Sequence, residues 1–148
     1  MAYLVEINQV QPQIIAAIRL RATIPELPTV IPPACGEVWQ FVRSAGIPNP
    51  GRNIAVYLDM VMNIEVGVEV GQHFSGTDRI ICSSTPGGLT ATTVHIGPYN
   101  RLGEAYDAVH KWCADNKREI AGPAWEVYGH WTDDPAKLQT DVFCLLKA

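Results

Sequence analysis

Gly36-Glu37-Val38-Trp39-Gln40-Phe41-Val42 and Gly103-Glu104-Ala105-Tyr106-Asp107-Ala108-Val109 read as one segment written twice, 67 residues apart. Each fits a helix: Val38, Phe41 and Val42 share a face in the first, and Leu102, Tyr106 and Val109 in the second. Further on, Ala55-Val56-Tyr57 lines up with Glu126-Val127-Tyr128, 71 residues apart. The two offsets differ by the length of a short loop insertion. Two matches in the same order, on the same kinds of element, point to an internal duplication.

Working outward, each copy reads as strand, helix, strand, strand. In the first, partial alternation from Pro12 to Thr23 predicts a strand. Pro25, Pro28, Pro32 and Pro33 then delay the helix until Ala34, and it runs to Ala45 before Gly46. Strands follow over Asn53 to Asp59, Asn63 to Val70 and Arg79 to Ser83. Thr85-Pro86-Gly87-Gly88 reads as a linker. The second copy has a strand over Leu89 to Ile96, a helix over Tyr99 to Asn116, and strands over Ala124 to His130 and Thr140 to Leu146. The expected fold class is α+β: two pseudo-twofold-related repeats, about 12–84 and 89–148, in a single domain 1–148. The antiparallel sheet carries both helices on one face, and the other face forms a central ligand groove near the axis.

Composition narrows the function. The 148 residues are 47% hydrophobic and 18% charged, which excludes disorder, and no apolar run approaches the length of a membrane helix. A formal net charge of -4 argues against direct nucleic-acid binding. Cys35, Cys82, Cys113 and Cys144 form no CxxC pair, and no histidine stands at metal-ligand spacing, so neither a metal nor a cofactor is implied. With no secretory signal among the first residues, the expected location is cytoplasmic, with reduced thiols.

The period of two sorts the matched strands into two sets. Ile54, Val56 and Leu58, with Trp125, Val127 and Gly129, are expected to face the helices. Ala55, Tyr57 and Asp59, with Glu126, Tyr128 and His130, then line the open groove. Glu126 matches the small Ala55, so the two-fold is broken by one carboxylate. A carboxylate among aromatic rings is costly unless paired, and a bound cation would supply both the charge and cation–π contact. Tyr57, Tyr128, Trp39 and Trp131 are the candidate walls. Tyr106 and Trp112 read as core, His95 as structural, and Glu65 and Glu69 as solvated strand carboxylates with a lesser claim on the groove.

His95-Ile96-Gly97-Pro98-Tyr99 followed by Leu102-Gly103-Glu104-Ala105-Tyr106 and Trp112, together with Gly122-Pro123-Ala124-Trp125-Glu126-Val127-Tyr128 and Thr140-Asp141-Val142, resembles the second-half signature of the GyrI-like small-molecule-binding domain. That family includes the effector-binding domains of BmrR-type multidrug-sensing activators. The resemblance covers essentially the whole chain, most strongly from Val94 to Leu146. It implies the duplicated sandwich, and an aromatic pocket whose buried glutamate, here Glu126, pairs with bulky, lipophilic, cationic small molecules. The chain shows no DNA-binding helices ahead of the domain and so looks like a stand-alone member. Some such members hydrolyse cyclopropane-bearing alkylators, which keeps open an enzyme in which Glu126 acts as a base on water.

Overall fold

The computed structural model describes residues 3–147. Eight antiparallel strands form one sheet: β1 (Glu6–Val10), β2 (Ile14–Arg21), β3 (Asn53–Tyr57), β4 (Asn63–Glu69), β5 (Ile80–Ser84), β6 (Gly88–Ile96), β7 (Ile120–Tyr128) and β8 (Gln139–Leu146). Helix α1 (Leu27–Ser44) follows β2 and α2 (Leu102–Asp115) follows β6. The spatial order β1-β6-β8-β7-β3-β4-β2-β5 is a palindrome of roles, with β7 and β3 at its centre. There Ala55 lies directly opposite Glu126, Ile54 opposite Val127 and Val56 opposite Trp125. The pseudo-twofold axis therefore passes between the two residues that the sequence alignment pairs. Both helices lie on the same face, because Val66 under α1 and Val142 under α2 belong to one cross-strand row with Ala55 and Glu126.

Helix α1 starts a full two turns earlier than its prolines suggest. Pro28 falls in the first turn, where the missing N–H has no partner to lose. Pro32 and Pro33 lie inside the helix and remove two hydrogen bonds, yet both point to solvent. The opposite side of the helix, Leu27, Val30, Ile31, Ala34, Cys35, Val38 and Val42, packs into the first-half core without a break. Burial of that stripe outweighs a local defect of about 3 kcal/mol.

Connection lengths show how the sheet is bent. β1 and β2 stand six strand spacings apart, about 29 Å across a flat sheet. The chain from Val10 to Ile14 reaches at most about 14 Å. β5 and β6 pose the same problem between Ser84 and Gly88. The sheet must curl, with the two connections side by side. They are joined there by Gln13 N–H to Thr85 Oγ1 (2.8 Å) and Thr85 N–H to Gln13 O (2.9 Å). The inside of the curl is a core of its own: Ile15, Ala17, Ile54, Val56, Trp125 and Val127, with Trp125 stacked on Phe143 at 5.3 Å.

This arrangement reverses the expected faces. Ile54, Val56, Trp125 and Val127 fill the inside of the curl, not the helix-covered side. Ala55, Tyr57, Glu126 and Tyr128 face the helices, so the central site lies between α1 and α2 and not on an open rear face. Both faces of β3 and β7 are buried, so alternation separates the two sets without saying which one meets the helices.

Candidate functional site

Glu126 sits at the axis, only 4% exposed. Each of its oxygens accepts one tyrosine hydroxyl. Tyr106, on α2, donates to Oε1 at 2.8 Å, and Tyr128, two residues along the same strand face, donates to Oε2 at 2.5 Å. Tyr57 comes from the symmetry-related position on β3 and meets the Tyr106 ring edge-on at 6.4 Å. Tyr99, in the turn before α2, meets the Tyr128 ring edge-on at 5.5 Å. Among the described residues no lysine, arginine or histidine forms an ion pair with Glu126.

Burial raises the Glu126 pKa, and the hydrogen bonds from Tyr128 and Tyr106 act in the opposite direction. Burial, reinforced by the Glu126 charge, pushes the pKa values of Tyr57, Tyr106 and Tyr128 upward. These phenols therefore stay protonated and act as donors. The carboxylate has donors but, among the described residues, no ion-pair partner.

Of the walls expected from sequence, Tyr57 and Tyr128 reach the carboxylate region. Trp39 is the helical twin of Tyr106, but its indole nitrogen is committed to Asn53 Oδ1, and the Arg43 guanidinium lies 5.4 Å from its ring centroid. Trp131 is 75% exposed in the loop after β7, and its neighbour His130 is exposed there too. Asp59 closes the β3–β4 turn by accepting from the Val61 and Asn63 amides. Glu65 is a correction: it is buried inside the curl, where Arg19 (Nε at 2.9 Å) and Ser83 (Oγ at 2.6 Å) hold it. Glu69 accepts from the Arg52 amide and stands 3.7 Å from the Arg52 guanidinium. Neither carboxylate joins Glu126.

Tyr106 and Tyr99 are the residues the sequence reading missed. A tyrosine on a helix stripe ordinarily packs by its ring alone. The usable signal was its match within the repeat to Trp39, itself a candidate wall. Surface concavities of about 440 and 490 Å3 lie elsewhere, beside Arg21–Met62 and beside Leu4–Phe143.

The family model described as GyrI-like small molecule binding domain matches residues 4–147. Among solved structures, the EcmrR C-terminal domain superposes with a TM-score of 0.80 at 21% identity, covering 99% of each chain. SAV2435 bound to tetraphenylphosphonium gives 0.62 at 11%, covering 100% of this chain and 95% of that one. A hydrolase from Listeria innocua gives 0.67 at 9%, covering 97% and 91%. At these identities the likeness is one of fold. None of the curated proteins compared matches the sequence. No helix among the described residues is long and apolar enough to cross a membrane.

Proposed function

The chain belongs to the family of GyrI-like small molecule binding domains, and on that premise we propose that it captures bulky, aromatic, lipophilic cations at Glu126. One observation carries this reading: a desolvated carboxylate held by tyrosine hydroxyls, with no basic side chain among the described residues paired to it. An entering cation supplies the missing charge. The rings of Tyr57, Tyr106, Tyr128 and Tyr99 supply apolar area and cation–π contact. The biological outcome is sequestration or sensing of such compounds.

Titration calorimetry of methyltriphenylphosphonium against the neutral triphenylphosphine oxide tests the charge pairing at nearly constant size. The cation is expected to bind at least about tenfold tighter, the scale of a partly desolvated charge contact. Equal affinities would exclude the proposal.

The pH dependence follows with a definite sign. Only ionised Glu126 pairs with the cation, and burial raises its pKa in the free protein. Affinity is therefore level above that raised value and falls below it, by up to about tenfold per pH unit, until it reaches the affinity of the neutral form. A profile flat through the acid range while the protein stays folded would remove Glu126 as the titrating partner.

A further inference from the structure

The cross-strand row beside the tyrosine cage differs between the two halves. In the first half Tyr57 is followed across the sheet by Ile64 and then Leu20. The corresponding row in the second half is Tyr128, Thr140 and His95. The fold thus closes with apolar side chains at these places, and packing does not demand the polar pair. His95 is satisfied: Nε2 bonds to the Pro98 carbonyl at 3.0 Å, which leaves Nδ1 to accept from the Tyr3 hydroxyl at 2.9 Å. Thr140 is not. It is 0% exposed, and its Oγ1 has no hydrogen-bond partner among the described residues. Buried hydroxyls are nearly always paired, and an orphan carries a desolvation penalty that calls for an explanation.

The position of Thr140 supplies one. Its side chain lies directly opposite that of Tyr128, a neighbour pair on one sheet face. The Tyr128 hydroxyl already donates to Glu126, so Thr140 is the uncommitted donor on this row. On the solvent side, Tyr99 is 41% exposed and covers the Tyr128 ring. Its turn is pinned by the His95–Pro98 bond and by the Gly97 amide to Leu138 O at 2.8 Å. We propose that the Glu126 cage continues into a polar subsite at Thr140, roofed by Tyr99, and that it selects lipophilic cations carrying a hydrogen-bond-acceptor oxygen near the charge. This specificity rests on the reading of Glu126 as the partner of the cation.

The test uses two cations that differ by one atom, (3-methoxypropyl)triphenylphosphonium and n-pentyltriphenylphosphonium. Calorimetry is run on the wild-type chain, Thr140→Val and Thr140→Ser. The ratio of methoxypropyl to pentyl affinity is expected to be roughly three- to tenfold higher in wild type than in Thr140→Val, the value of one neutral hydrogen bond. Thr140→Ser keeps the donor and retains the wild-type ratio. Without ligand, Thr140→Val melts about 1–4 °C higher, because the orphan hydroxyl is gone and the shape is kept. A ratio unchanged by Thr140→Val overturns the subsite while leaving the cation reading intact. Failure of both cations to bind the wild-type chain overturns the cation reading and the subsite together.

Discussion

Glu126→Gln is expected to weaken binding of a lipophilic monocation by about 30- to 150-fold, the equivalent of roughly 2–3 kcal/mol for breaking a desolvated charge pair. Gln keeps the volume, and its carbonyl still accepts from one tyrosine. The other hydroxyl can rotate to accept from the amide, so the Tyr106 bond that ties α2 to β7 and the Tyr128 bond within β7 keep their framework. What disappears is the charge. The same substitution should leave the folded protein as stable or more so at neutral pH. The sign follows from the raised pKa. Between the ordinary carboxyl value and the raised one, the folded chain holds a proton that the unfolded chain has lost, so stability contributed at this residue falls as pH rises through that window. Above it the native state carries a desolvated anion that Gln replaces with a neutral amide. Thermal melts of the two proteins should therefore converge in acid and separate, with the variant higher, toward neutral pH. Unaltered cation affinity in Glu126→Gln would return Glu126 to a purely structural role.

The parts of this arrangement that a one-dimensional reading could reach are those that repeat. The offset between Ala55-Val56-Tyr57 and Glu126-Val127-Tyr128 places the axis between Ala55 and Glu126, and the register of β3 on β7 agrees. Glu126 stands out because its twin is a methyl group. The start of α1 was hidden, since Pro32 and Pro33 forbid two hydrogen bonds locally while a stripe from Leu27 to Val42 is buried as one surface. The curl was hidden for a different reason. It depends on β1 pairing with β6 and β5 with β2, and the residues Glu6-Ile7-Asn8-Gln9-Val10 carry little strand signal of their own. Without the curl, an apolar set such as Ile54, Val56, Trp125 and Val127 has no place to go but under the helices. The assignment of faces inverted on that point. Tyr106 illustrates a third limit: periodicity reports where a ring is buried and says nothing of what its hydroxyl meets.

The inverted face is open to a direct test through its largest side chain. Trp125→Ala is expected to cost about 3–5 kcal/mol, the range for emptying a buried tryptophan site that cannot collapse. Trp125 is almost fully buried, is stacked nearly parallel on its cross-strand partner Phe143, and shares the inside of the curl with Ile15, Ile54 and Val56. Strands from both halves surround it, so no single neighbour can move in to fill the space without breaking sheet hydrogen bonds. For a chain of this size that loss corresponds to a fall in Tm of roughly 10 °C or more. Trp131→Ala is the matched control. It removes the same side chain six positions later, in the exposed loop after β7, and should change stability by no more than about 0.5 kcal/mol. The contrast separates two architectures. In a flat sheet whose rear face is open to solvent, both tryptophans would be cheap to remove. In the curled sheet only Trp125 is costly, because it bridges the two halves beneath the strand that holds Glu126 on its other face. Similar melting temperatures for the two variants would mean that the rear face is not a core, and that the closeness of β1 to β2 is achieved in some other way.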